Sequence, residues 1–167
     1  MPTAVAHILI TIILIDIFRD YFLPKHHLKK FPRWMVLVGG VVGLLPDVDL
    51  PFTWLYDAVF GSQLGFHGGI THTYLIPAVI LAVAWLMHFL KKEKVTLLLC
   101  LIFFGYALHI TLDFFILGGS YQPFMPFSDF TLPQTLFTQD HMFGLDAILL
   151  IAWLFYEEFK HKIKDYI

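Results

Sequence analysis

Charge is what this sequence has least of. Asp, Glu, Lys and Arg together make up 14% of its 167 residues, against roughly a quarter in a soluble domain. That leaves too little polar surface to face water on all sides. Cationic side chains number eleven and are missing altogether from residues 1–18, 34–90 and 95–159. With a formal net charge of -2, there is no general pull toward a polyanion, and no nucleic-acid partner is expected. Cysteine is reduced to Cys100, which excludes an intramolecular disulfide. The first apolar stretch lacks a basic leader and a small-residue cleavage site, so it is expected to be a retained helix. Internal repeats and low-complexity tracts are also lacking, and the length suits a single domain over residues 1–167.

What is present is hydrophobic: 58% of the residues. A membrane span needs about 20 mostly apolar residues, fewer where the bilayer thins. Five segments answer to this: Thr3 to Leu23, Trp34 to Leu45, Thr73 to Leu90, Val95 to Leu117 and Met142 to Tyr156. The second is short and glycine-rich, which predicts a half-span or tilted helix packed closely through Gly39, Gly40 and Gly43 and stopped at Pro46. Residues 47–72 read as a loop. The fold class expected is therefore all-α, an integral membrane bundle of about five helices.

All eleven cations lie in three clusters, Arg19 to Arg33, Lys91 to Lys94 and Lys160 to Lys164. Basic loops stay cytoplasmic, and five spans place all three clusters on that side. The same topology sends His7, His67, His72, His109 and His141 to the opposite, extracytoplasmic end, together with Asp47, Asp49, Asp57, Asp113, Asp129, Asp140 and Asp146. Carboxylates crowded in low dielectric without a cationic side chain either protonate or find a cation. Imidazole beside carboxylate is the ligand set of zinc and related transition metals.

Local spacing agrees. His109 and Asp113, in GYALHITLDFF, stand four apart and so share one helix face. By helical rise they lie ~6–12 Å below the helix end, a depth at which ionisable groups mark function. Asp47 and Asp49, in LLPDVDL, point the same way if the segment is extended. Such a pair can bridge two metals, or one can bind metal while the other takes a proton. His67 and His72 bracket the glycine pair of HGGITHTY, and His7 lies one turn into the first helix. Structural alternatives stay open: His7 as an interfacial residue, PDVDL as a helix stop, HGGITH as a loop with a Thr71 cap, and Asp140 with His141 as a cap. Asp146 reads equally as a ligand or as a partner of one. Asp16 with Arg19 and Asp20 reads as an ion cluster at the inner interface.

With these motifs the chain resembles the YdjM-like family of membrane-bound metal-dependent hydrolases. The resemblance covers most of the length: His7, the PDVD of Pro46 to Asp49, the HGGITHT of His67 to Thr73, the HITLD of His109 to Asp113 and the PFMPFSD of Pro123 to Asp129. Family members commonly carry arginine where Gly68 stands here. The family is in turn similar to zinc-dependent phospholipases C and single-strand-specific zinc nucleases, although their late His-x-x-x-Glu pair has no match in this sequence. The resemblance implies phosphoester hydrolysis at a multinuclear zinc site.

Taken together, the expected metal ligands are His7, Asp47, Asp49, His67, His72, His109 and Asp113, with Asp47 or Asp49 as the catalytic base. The expected cofactor is a pair of zinc-like divalent ions, with manganese or magnesium as alternatives. The expected setting is the inner membrane, multi-pass, with the lipid bilayer as partner and a lipid or lipid-linked phosphoester as substrate. A metal or proton carrier, and a structural protein stapled by metal, are the rival functions.

Overall fold

The computed structural model describes residues 4–23, 31–61, 69–117, 121–132 and 139–161. Six α-helices occur among them: α1 (Ala4–Ile17), α2 (Trp34–Val42), α3 (Asp49–Phe60), α4 (Leu75–Phe89), α5 (Glu93–Leu117) and α6 (Gln139–His161). No strand is present among the described residues. The all-helical class expected from the apolar runs is what the chain adopts.

α5 is the axis of the fold. It runs apolar over Glu93–Phe115, long enough to cross a membrane. α4 turns back onto it through a tight connection in which Lys91 takes a left-handed φ of 56°. The Tyr74 hydroxyl, just before α4, lies 2.8 Å from Thr111 Oγ1 late in α5, so the two helices are antiparallel. α2 packs on α1 and α5, and α1 also packs on α6.

The contact of α2 with its neighbours depends on glycine. Gly39 and Gly40 lie against Ile15 and Ile12 of α1, where an added Cβ would collide. A Cβ at Gly105 of α5 would stand 3.1 Å from the Gly43 nitrogen and 3.2 Å from the Gly39 oxygen, so here backbone meets backbone.

The segment after α2 departs from the expected loop. Pro46 does not end helical structure but begins a 3₁₀ turn over Leu45–Val48, from which α3 continues to Phe60. A proline in the first turn loses no hydrogen bond, because that N–H has no partner in a helix. Asp47 and Asp49 therefore sit on helical backbone, not on an extended strand. The axis bends by 55° between α2 and the 45–60 segment, which makes the pair a broken span or a re-entrant element. Gly61, at φ 64°, ends α3 by donating its N–H to the Asp57 carbonyl at 2.9 Å. By length and composition, one described helix is long and apolar enough to cross a membrane alone, or two elements are if the bent pair counts as one span. α4 is apolar but shorter.

Beside an apolar core that includes Leu9, Ile12, Ile15, Val36 and Leu101, unusually many polar side chains are buried. The deeply buried set includes His7, Asp16, His72, His109, Asp113 and Glu157, all 3% exposed or less. Large apolar side chains point outward, among them Phe52, Trp54, Trp85 and Phe155. α3 has no buried residue at all. Polar groups inside and an apolar exterior are what a bilayer-facing bundle requires.

Candidate metal centre

Four elements deliver the polar side chains to one place. α5 supplies His109 and Asp113 one turn apart; the 3₁₀ turn after α2 supplies Asp47; a second short turn, Ile70–His72, supplies His72; and the first turns of α1 supply His7. Nε2 of His72 and Nε2 of His109 lie 3.4 and 3.5 Å from Asp47 Oδ1. The same two nitrogens lie 3.6 and 3.2 Å from Asp113 Oδ2. These four atoms close a ring of two imidazoles alternating with two carboxylates. Every ion-pair contact that Asp47 and Asp113 make among the described residues is to an imidazole.

The residues behind the ring set its tautomers. His109 Nδ1 lies 2.7 Å from the Gly43 carbonyl oxygen, which can only accept, so Nδ1 carries the proton and Nε2 offers its lone pair inward. On the other side, the Thr71 hydroxyl donates its one proton to Asp49 Oδ2 at 2.6 Å. The Thr71 oxygen, 3.1 Å from His72 Nδ1, must then accept from that ring, and His72 Nε2 also presents a lone pair. The Tyr106 hydroxyl holds the turn by donating to the Thr71 carbonyl at 2.7 Å.

The donor set fits a divalent ion. Ligand atoms about 2.0–2.2 Å from a tetrahedral zinc stand roughly 3.3–3.6 Å from one another; the imidazole–carboxylate separations here run from 3.2 to 3.6 Å, and Asp47, His72 and His109 bring three donor atoms close enough together to hold one ion. Asp47 Oδ1 and His109 Nε2 are buried and make no hydrogen bond among the described residues, an arrangement that protein atoms alone leave unsatisfied. His7 Nε2 lies 3.2 Å from the other Asp113 oxygen, and its ring packs edge-on at 3.8 Å from that of His109. His7, His109 and Asp113 form a second group with ligand atoms close enough for one ion, sharing His109 with the group of Asp47, His72 and His109.

Of the seven expected ligands, five meet here: His7, Asp47, His72, His109 and Asp113. Asp49 stands one hydroxyl further out, 3.7 Å from His72 Nδ1 and joined to it through Thr71. His67 lies outside the described residues, as does the Asp140 side chain. Asp57, Asp129, His141 and Asp146 belong to neither group of converging atoms. At the other end, Arg19 pairs with Asp20 at 3.0 Å as expected, while Asp16 is buried beside Glu157.

Sequence reading passed over three contributors. The Gly43 carbonyl has no side-chain signal. Thr71 read as a cap, although its place next to His72 was a clue. Tyr121 is 9% exposed, with its ring 5.5 Å from that of His72. Burial first, then the Asp113, Asp47 and Asp49 carboxylates, pushes its phenol well above the ordinary range, so it remains a donor beside the acids.

No curated protein and no solved structure gives a significant match to this chain. The model of one family does match it, over residues 1–163, a range that takes in every residue of the His and Asp ring. The chain belongs to the family described as YdjM inner membrane protein.

Proposed function

We propose that this chain is a membrane-embedded, metal-dependent hydrolase that cuts a phosphoester in a lipid or lipid-linked substrate. The observation that carries the reading is the buried ring of His72, His109, Asp47 and Asp113, with both imidazole lone pairs turned inward. Each ring also has a polar partner behind it, the Gly43 carbonyl for His109 and the Thr71 hydroxyl for His72, which holds Nε2 toward the carboxylates.

The described donors suffice for one ion. His109 has a single ring nitrogen to offer, so the two overlapping groups cannot each be filled independently. A second ion would have only His7 and Asp113 Oδ1 among them and would need His67 or others. A divalent ion of the zinc type supplies Lewis acidity and a bound water of lowered pKa. Of the two expected bases, Asp47 lies in the ring and Asp49 behind His72, so the Asp47 carboxylate would take the proton from the attacking water and return it to the leaving alcohol as the P–O bond breaks. Tyr121 donates to a phosphoryl oxygen. The chain order of His, Asp, His and His-x-x-x-Asp, similar to that of zinc phospholipases C, favours a phosphoester over an acyl ester. By the positive-inside bias the centre opens on the extracytoplasmic side of a multi-pass bundle.

A carrier would need a polar path from this centre to the opposite end. Asp16 and Glu157 are buried there, which is the observation in favour of that reading. Between the two ends, however, Ile12 and Ile15 pack directly on Gly40 and Gly39 and form part of an apolar cluster with Val36 and Leu101. That plug favours a closed catalytic site.

The test is elemental analysis of detergent-purified protein together with hydrolysis of a phospholipid panel. About one metal per chain and release of a phosphorylated head group are expected. Metal without turnover on any lipid, or uptake of metal into proteoliposomes, would replace this reading with a structural or transport role.

A further inference from the structure

A groove of about 820 Å³ runs along α3, within the size range of small-molecule sites. Its polar end abuts the metal centre: Asp49 and Thr71, which stand behind His72, form part of its wall. From there the lining turns apolar through Phe52, Leu55 and Val59 to Phe60. These recur at helical spacing along one stripe, ~16 Å from Asp49 to Phe60 by helical rise. The stripe is not used to hold the fold together. Phe52, Leu55, Val59 and Phe60 are each at least 64% exposed, and nothing in α3 is buried.

A molecule that matches this surface has a charged head that reaches the ring of acids and imidazoles and a long hydrocarbon tail. We propose that the α3 groove seats an acyl chain of the phosphoester lipid whose head group lies at the metal centre, an assignment that rests on the lipid-hydrolase reading above. The polarity gradient is the argument. Apart from the Tyr56 hydroxyl, the polar side chains of the lining, Asp49, Thr53 and Thr71, all lie at the end next to the ring, and Thr53 already donates to the Asp49 carbonyl at 2.9 Å. A free phosphate would leave the apolar stretch without a role, and a peptide would find almost no hydrogen-bonding groups along it. Because the chain belongs to an inner membrane family, a lipid reaches the groove sideways from the leaflet without crossing water.

The experiment compares Val59→Trp, which fills the groove, with Trp54→Leu, a change on a side chain that is 66% exposed and outside the lining. Native mass spectrometry of the metal-loaded, detergent-purified protein reads retention of dioleoyl phosphatidylglycerol. Turnover is followed on the same lipid and on its dihexanoyl analogue. Val59→Trp is expected to weaken retention and raise KM for the dioleoyl lipid about tenfold, in line with the loss of about two buried methylenes. Turnover of the dihexanoyl analogue and metal content should stay within about twofold of wild type, and Trp54→Leu should resemble wild type throughout. Equal losses on both lipids, or equal behaviour of the two variants, would overturn the assignment. So would unchanged lipid retention with Val59→Trp converting a dimer to a monomer, which would make the groove a contact between copies. If wild type cleaves neither lipid but retention still falls in Val59→Trp alone, the groove assignment stands and the hydrolase reading fails.

Discussion

His109 Nδ1 and the Gly43 carbonyl meet at 2.7 Å, 66 residues apart in the chain. This bond joins α5 to the end of α2 and turns the remaining ring nitrogen of His109 toward Asp47 and Asp113. It exists because Gly105, one turn before His109, has no Cβ to separate the two backbones. Gly105→Val should therefore act at a distance, pushing Gly43 away and releasing the ring of His109. Loss of the backbone partner of a metal-binding histidine typically costs about 10–100-fold in affinity. Metal titration of the purified variant checks this; wild-type affinity would mean that the ring is held some other way.

Thr71→Val removes one hydroxyl and preserves shape. The link from His72 Nδ1 to Asp49 is cut, and metal affinity should again fall roughly 10–100-fold with little change in thermal midpoint. Thr71→Ser, which keeps the hydroxyl, should restore most of it. A valine variant with intact affinity would reduce Thr71 to a turn residue.

Asp113→Asn should be more severe. Asp113 is 2% exposed and contacts His7, His72 and His109, so the amide neutralises the carboxylate on which three imidazoles converge. Metal content of the purified variant should drop below about a tenth of wild type and hydrolysis should vanish with it. Full metal occupancy in a folded variant would contradict the assigned ring.

Chelation should loosen the fold. An ion that binds only the folded chain stabilises it by about 2.7 kcal/mol when present at 100 times its Kd, and stripping it leaves the Asp47 and Asp113 carboxylates with imidazoles as their ion-pair partners among the described residues. The thermal midpoint in detergent should fall on treatment with a chelator and recover on adding zinc. An unchanged midpoint would mean that little of the folding free energy is linked to metal.

Gly40→Leu tests the packing of α2 separately from the chemistry. A side chain there would run into Ile12 and Ile8 of α1, and overpacking of this kind costs about 1–3 kcal/mol. The variant should melt earlier while the fraction that stays folded binds metal as wild type does. Normal stability would show that α1 and α2 can separate without penalty.

Much of this was legible in the residues alone, for definite reasons. Hydrophobic composition implied helices in lipid because a backbone without water must satisfy its own hydrogen bonds. The His-x-x-x-Asp of α5 announced a shared face because helical geometry makes residues four apart neighbours. The absence of Lys and Arg across one half marked where the acids would need a cation. Residues 47–60 read as a loop because proline and aspartate signal both a turn and the first turn of a helix; the tertiary structure, in which the 45–48 turn packs on α5, decides between them. For the same reason Asp47 and Asp49 are equivalent in the sequence, whereas helical backbone turns one into the ring and the other toward Thr71.

The sequence by itself determined the kind of molecule: an apolar helical chain with its imidazoles and carboxylates collected toward one end, since hydropathy, charge bias and short-range periodicity are properties of consecutive residues. Which of those groups touch, and with which nitrogen or oxygen, only the tertiary structure decided. His7, Asp47, His72, and His109 with Asp113 come from four separate stretches, and their register depends on two glycines that let backbones meet and on a carbonyl and a hydroxyl that assign the protons. Such contacts have no signature along the chain because they are made across it.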